Sequence, residues 1–367
     1  MRVMIAGGGT GGHLFPGIAL AEEFLKRDRD HRILFVGTIK GLETKILDKM
    51  GFDLQTIDVA GIKGKGVVPM AKALLRIPKS LVQSVRIVRR FAPDLVIGVG
   101  GYASGPAVMA AHWMGVKTAL AEQNALPGLT NRILGRFVDR VFLSFPETGK
   151  WFRKEKVIVT GNPIRSRFFE GERAPSRQPG LFTLLVFGGS QGAHAINQAV
   201  VAALDHFEPM RDRLRIIHQT GEGDLEEIRR TYRDRGMNAE VQPFIMDMAS
   251  AYAAADLVVC RAGATSIAEI TAMGKAAVLI PFPHAVEDHQ TRNAEVLVRA
   301  GAAELLPESG LTGRRLAETV RACAEHPERI RRMEARSAGL GNAGAAAGIV
   351  DACLELVNAK NRTGSST

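Results

Sequence analysis

Short, nearly unbroken apolar runs alternate along this chain with stretches in which apolar positions recur every three or four residues. Runs at 2–6, 33–36, 94–99, 117–121, 140–143 and 157–159 form one set, and runs at 181–187, 215–218, 240–242, 257–260 and 276–280 form a second. Except for Glu240-Val241-Gln242, they lack the alternating polar face of a half-exposed strand, so they predict strands covered on both sides in parallel sheets. The intervening stretches, such as Ile18-Ala19-Leu20-Ala21 with Phe24-Leu25, and residues 196–204, carry helical spacing. The expected fold class is α/β, with two Rossmann-like doubly wound domains facing a cleft.

Punctuation sets the domain limits. Residues 161–180 are rich in Gly, Pro, Arg and Ser and read as a linker. This predicts an N-terminal domain over 1–162 and a C-terminal one over 163–340, with a helix at 341–358 rejoining the first. Thr312 is a candidate N-cap for the helical region that begins there. Glycines 339, 341 and 344 interrupt that region before a helix at 349–357, and the polar tail 358–367 frays.

Each half opens in the same way, with strand, glycine loop and helix. The first loop is Gly7-Gly8-Gly9-Thr10-Gly11-Gly12-His13, and the second is Gly188-Gly189-Ser190-Gln191-Gly192-Ala193. Glycines let the backbone approach a ligand without a Cβ in the way, and the N–H groups of the next helix then face an anion. Gly7, Gly9 and Gly12 formally match the dinucleotide fingerprint, but the second strand ends in Gly37-Thr38 and not in the acid that would hold a ribose, which argues against NAD or FAD. No Gly-Lys-Ser/Thr ending marks a P-loop. A phosphate or sugar site remains. Arg261-Ala262-Gly263-Ala264-Thr265-Ser266-Ile267-Ala268-Glu269 again follows an apolar strand with small and hydroxyl residues at a helix start. Glu269 falls two turns in, where a carboxylate either solvates a surface or accepts ribose hydroxyls. The polar stretch from His284 to Asn293 also follows a strand, as site residues do. Asp28-Arg29-Asp30 has the form of a metal-holding acidic pair but reads as a solvated turn, and no cofactor is called for.

Composition narrows the classes. At 367 residues the chain is long enough for two domains, and 46% hydrophobic residues suffice for their cores. No apolar run reaches the ~18–20 residues of a membrane span, and no secretory signal precedes the first strand. Cys260, Cys323 and Cys353 are scattered and suit a reduced cytoplasm. The net charge of +10 points to polyanionic partners, yet no nucleic-acid-binding module is present. The basic residues are partly concentrated. Between Asp58 and Asp94 there is no acid, while Lys72, Arg76, Lys79, Arg86, Arg89 and Arg90 interleave with apolar residues over 67–91. This is the composition of a surface lying on an anionic bilayer, which Trp113 joins, or of an ordinary amphipathic helix packed on the sheet.

Seven blocks in order, GGGTGGHLFPGIALA, GVGGYASGPAVMAA, EQNALPGLTN, GNPIR, VFGGSQGA, PFIMDMASAYAAADLVVCRAGATSIAEI and HQTRNAEVLVRAGAA, resemble the MurG family. These are bacterial UDP-N-acetylglucosamine:undecaprenyl-diphospho-muramoylpentapeptide N-acetylglucosaminyltransferases of glycosyltransferase family 28. The resemblance spans residues 3 to about 305. It implies a GT-B fold, and inverting transfer of GlcNAc from UDP-GlcNAc to the C4 hydroxyl of the MurNAc of lipid I, giving lipid II and UDP in peptidoglycan synthesis. It also implies a peripheral place on the cytoplasmic face of the plasma (inner) membrane, and cell-wall synthesis and division proteins as partners. The N-terminal domain would then face acceptor and membrane, and the C-terminal domain would bind UDP-GlcNAc. Carried over residue by residue, the substrate site comprises Thr10, Gly11, Gly12, Asn124, Arg165, Ser190, Ile245, Ala264, Thr265, Ser266, Ile267, Ala268, Glu269 and Gln290. Ile245 lies beside the uracil, Glu269 holds the ribose, Ser190 with Thr265 and Ser266 meets the diphosphate, and Gln290 and Asn124 meet the sugar. The sequence departs from the family at Ala121, where a His often precedes the Glu-Gln-Asn block, and at His289, where Gln occurs.

Inverting transfer needs a base for the acceptor hydroxyl. His13 is the first candidate, for its intrinsic pKa and its place at a helix start, and Glu122 is the second. The rival readings are a related enzyme with another acceptor and a non-catalytic UDP-sugar or membrane-binding module.

Overall fold

A computed structural model describes residues 1–8, 11–38, 43–59, 67–169, 177–189 and 191–364. The chain divides into two compact units, Met1–Ser166 with Ala343–Thr367, and Arg167–Asn342.

In the first unit seven strands form one wholly parallel sheet. They are β1 (Arg2–Ala6), β2 (Arg32–Thr38), β3 (Asp53–Ile57), β4 (Leu95–Gly98), β5 (Lys117–Glu122), β6 (Arg140–Leu143) and β7 (Val157–Val159), in the order β3-β2-β1-β4-β5-β6-β7. Helices α1 (Gly11–Arg27), α2 (Glu43–Met50), α3 (Val67–Phe91), α4 (Ser104–Trp113) and α5 (Leu129–Leu134) connect them. Successive strand residues point to opposite faces. On β1, Val3 and Ile5 face a core shared with Ile18, Phe24, Ile349 and Val350, while Met4 and Ala6 face another shared with Val88, Val96 and Val108. Both faces are therefore covered, which accounts for the unbroken apolar reading of these strands.

The second unit repeats the plan with β8 (Phe182–Phe187), β9 (Leu214–Gln219), β10 (Asn238–Gln242), β11 (Leu257–Cys260), β12 (Ala276–Leu279) and β13 (Ala303–Leu305), in the order β10-β9-β8-β11-β12-β13 and again parallel. Its helices are α6 (His194–Ala203), α7 (Leu225–Asp234), α8 (Met248–Ala254), α9 (Ala264–Ala272), α10 (His289–Arg299), α11 (Gly313–Ala324) and α12 (Pro327–Leu340). Thr312 does cap α11, accepting from the Arg315 backbone N–H at 3.2 Å. In each sheet the strand order reverses beside the first strand, between β1 and β4 and between β8 and β11. That is where open α/β sheets bind ligands, outside the carboxyl ends of the strands.

The last helix, α13 (Ala345–Gly364), returns to the first unit and packs on α1. The stretch Pro327–Ala359 is long and apolar enough by composition to cross a membrane. It is nevertheless two helices, broken between Leu340 and Ala345, and Ile349, Val350 and Cys353 are fully buried in the core. Strands β3 and β13 escape the sequence pattern. Their polar residues and partial exposure mark sheet edges. The linker ends firmly, because Arg177 pairs with Asp256 at 2.7 Å and with Glu334.

Candidate active site

In the first unit the loops after β1, β4 and β5 share one sheet edge. Gly11, Gly12 and His13 form the first turn of α1, so the helix begins well before its apolar repeat, and Thr10 lies outside the described residues. The His13 ring lies against the loop after β4. A Cβ added at Gly100 would stand 2.6 Å from His13 Nδ1, and Gly100 has φ +92°, so only glycine suits the place. Arg165, which follows β7, brings its guanidinium over the Phe15 ring at 4.5 Å. Gly11, Gly12, His13 and Arg165 thus gather around the start of α1.

Glu122 ends β5 and is 2% exposed. Its Oε1 accepts from the Asn124 backbone N–H at 3.0 Å and from Asn124 Nδ2 at 3.2 Å. Oε2 accepts from the Gly128 N–H at 3.1 Å and from Asn131 Nδ2 at 2.8 Å. Burial pushes the carboxyl above its ordinary value, against the pull of these four donors. Thr148 pins the same loop from the other side, its hydroxyl lying 3.2 Å from the Asn124 carbonyl oxygen and 3.1 Å from that of Ala125. A carboxylate whose two oxygens are each engaged twice within its own loop organises that loop.

In the second unit the carboxyl edge carries the loops after β8, β9, β10, β11 and β12. The glycine loop after β8 leads into α6, whose N-cap residue Ala193 offers no side-chain cap, and Ser190 lies outside the described residues. Helix α9 begins directly after β11 behind Gly263, which likewise has no side chain to cap it. Ala264 and Ile267 are buried, Thr265, Ser266 and Ala268 are half-buried, and the first N–H groups of α9 point out of the sheet edge. Two helix N-termini without side-chain caps on one edge present partial positive charge to an anion. Glu269 is 7% exposed and its Oε2 accepts from the Tyr252 hydroxyl at 3.2 Å. Tyr252 is held edge-on by Phe187, with ring centroids 6.0 Å apart. The hydroxyl contact orients the Glu269 carboxylate within α9. Ile245 is buried in the loop after β10. Gln290 stands in the first turn of α10, and its Oε1 accepts from the Phe282 N–H at 2.9 Å. The chain enters α10 through Glu287 and Asp288 at φ +56° and +54°, a left-handed pair whose strain of about 1–3 kcal/mol each is typical of ligand-binding loops.

Two family models match the chain in tandem, the glycosyltransferase family 28 N-terminal domain over residues 3–143 and the C-terminal domain over 183–349. The UDP-N-acetylglucosamine--N-acetylmuramyl-(pentapeptide) pyrophosphoryl-undecaprenol N-acetylglucosamine transferase of Syntrophus aciditrophicus is 60% identical over 97% of this chain and 99% of its own length. Its namesake in Myxococcus xanthus is 52% identical over 97% and 93%. The chain belongs to glycosyltransferase family 28. A crystal structure of MurG from Acinetobacter baumannii superposes with a TM-score of 0.77 at 32% identity, covering 96% of this chain and 99% of that one.

Within this family 28 chain, sequence reasoning passed over a buried polar group behind the second glycine loop. His218 is fully buried, and burial pushes its pKa down to about 3, so the ring is neutral. Asn197 Nδ2 donates to the Thr220 carbonyl at 2.9 Å and to Asp224 Oδ2 at 2.7 Å, which fixes its Oδ1 as the acceptor facing His218 Nε2 at 3.0 Å. Nε2 therefore carries the proton, and Nδ1 accepts from the Tyr232 hydroxyl at 2.8 Å. Asn131 and Gln219 were also passed over. Their shared signal was a polar residue at the end of an apolar run or inside a matched block, a pattern that marks a site without naming its partners.

Proposed function

We propose that this glycosyltransferase moves GlcNAc from UDP-GlcNAc to the C4 hydroxyl of the MurNAc of lipid I, with inversion, in peptidoglycan synthesis. The observation carrying this reading is the second unit's sheet edge, where two glycine-led helix N-termini, Ile245, Glu269 and Gln290 all stand. The α6 and α9 N–H groups, with Thr265 and Ser266, take the diphosphate. Ile245 lies beside the uracil, Glu269 takes the ribose hydroxyls, and Gln290 meets the sugar. Donors fixed beforehand stabilise the charge that grows on the leaving UDP. Ser190 and Thr10 keep the roles that the family resemblance gives them.

On the first unit, His13 is the proposed base. The acceptor hydroxyl attacks C1 of the donor sugar, the C1–O bond to UDP breaks with its electron pair leaving on the diphosphate, and the hydroxyl proton passes to a His13 ring nitrogen. Glu122 holds the loop that carries Asn124, and Arg165 with Gly11 and Gly12 meets phosphate. Turnover of UDP-GlcNAc and a lipid I analogue, read as UDP release, tests the activity. His13→Ala is expected to lower kcat by about 10²–10⁴-fold. A loss confined to the acceptor KM removes His13 as the base, and no UDP release from the wild type removes the whole reading.

The same unit supports a peripheral place on an anionic, cytoplasmic membrane face. In α3, Ser80, Ser84 and Val88 are buried, while Val82, at 52% exposure, and Arg86, Arg89 and Arg90 point outward. Lys79 is exposed but paired with Asp58 at 2.7 Å. The side chains of 67–76, including Lys72 and Arg76, lie outside the described residues. Trp113, at the end of α4, is 64% exposed. One face of α3 packs as an ordinary amphipathic helix, and the other keeps the apolar and basic character of a bilayer-facing surface. Cell-wall synthesis and division proteins are the proposed protein partners.

A further inference from the structure

Gln219 is the last residue of β9 and is 3% exposed. Its Nε2 donates to the Gly189 carbonyl at 2.7 Å, and its Oε1 accepts from the Ile245 N–H at 2.8 Å. A backbone carbonyl only accepts and a backbone N–H only donates, so this pair fixes the orientation of the amide. One buried side chain thus spans two loops, the glycine loop after β8 and the loop after β10.

The surroundings of this strut are rigid. The Thr220 N–H donates to the Gln242 carbonyl at 3.0 Å, and the Gly221 N–H to that of Pro243 at 3.1 Å, continuing the β9–β10 pairing beyond the strands. Gly192 and Gly221 pack so closely that a Cβ on either would collide with the backbone of Thr220 or of Gln191. Asn197 holds the Thr220 carbonyl from behind. The glycine loop, the turn after β9 and the loop after β10 are therefore tied into one body, and Gln219 is the tie between the first and the last.

We infer that Gln219 is a positioning residue that sets the spacing between the nucleobase contact and the diphosphate loop, so that a nucleoside diphosphate is read at both ends at once. This rests on the donor-site reading above. Gln219 touches neither end of the ligand. It removes the freedom of two binding segments to move apart, a freedom that ligand binding would otherwise have to freeze out.

Titration calorimetry with UDP and with uridine tests this on the full chain. Gln219→Met keeps the volume and deletes both hydrogen bonds. It is expected to weaken UDP about tenfold or more, with a much smaller effect on uridine, which engages one segment only. Gln219→Glu keeps an acceptor for Ile245 and loses the donor to Gly189. It is expected to weaken UDP and leave uridine unchanged, and it carries the test if the Met variant does not fold. In turnover, KM for UDP-GlcNAc rises while KM for the acceptor stays the same. Equal losses for UDP and uridine, or a lowered melting temperature with undiminished UDP affinity, overturn the inference and leave the donor site standing. A wild-type chain that binds no UDP overturns both.

Discussion

Glu122→Gln separates a loop organiser from a base. The substitution preserves size and replaces one carboxylate oxygen with an amide NH₂. Each oxygen of Glu122 now accepts from two donors, Asn124 N and Nδ2 on one side and Gly128 N and Asn131 Nδ2 on the other. Whichever way the new amide turns, its NH₂ faces two donors, and two hydrogen bonds are lost in a site 2% exposed. A buried donor left without a partner costs about 1–3 kcal/mol, so with two such donors the loop loses about 2–6 kcal/mol. For a unit of this size, at about 2–4 °C per kcal/mol, the melting temperature falls on the order of 10 °C. Scanning calorimetry on the full chain is expected to show the shift in the transition of the first unit and none in the second. Turnover measured well below that transition is expected to fall through Asn124, with KM and kcat changing together. An unchanged melt with kcat down about 10²–10⁴-fold at constant KM refutes the reasoning and makes Glu122 the proton acceptor.

A second prediction concerns pH. His218 has its folded pKa pushed down to about 3, from an ordinary 6.5. The unfolded chain therefore binds a proton that the native one refuses, and the stability this group contributes is complete above pH 6.5 and lost as pH falls toward 3. Between about pH 7.5 and 5.5 the loss is about 1.4 kcal/mol, and the difference between urea titrations of wild type and His218→Gln measures it; identical pH slopes in the two proteins refute the assignment. On α3, reversing Arg86, Arg89 and Arg90 to Glu is expected to abolish sedimentation with anionic vesicles and to leave turnover on a water-soluble acceptor intact. Unchanged sedimentation removes the bilayer-facing surface.

The legible parts of the fold were those where burial is two-sided. The strands at 140–143 and 257–260 were read to the residue because apolar side chains are needed on both faces of a covered sheet, and the edge strand at 157–159 was read from its Val-Ile-Val run alone. Edge strands β3 and β13 and the early start of α1 were not. Asp53, Gln55 and Thr56 serve an exposed edge, and Gly11 and Gly12 are poor helix formers placed by the loop before them. The candidate site was legible as a set of motifs. Their division of labour was not. The sequence places Glu122 beside Asn124 without saying that its oxygens are already engaged, and it marks Gln219 only as a polar residue ending an apolar run, without saying which two loops it joins. Which donor meets which acceptor across loops distant in the chain is a property of the packed sheet edge.

The return of α13 to the first unit orders events during synthesis. Most of the first unit emerges before the second, yet Ile349, Val350 and Cys353, which complete one of its cores, are translated only after the whole second unit. At about 5–20 residues per second, the ribosome spends roughly 10–35 s on the second unit before these residues exist. By the end of that interval the second unit is complete and able to fold, while α1 still shows an uncovered apolar face. A nascent chain of this architecture thus finishes its middle before its beginning, and its need for chaperone cover falls on the half that was made first.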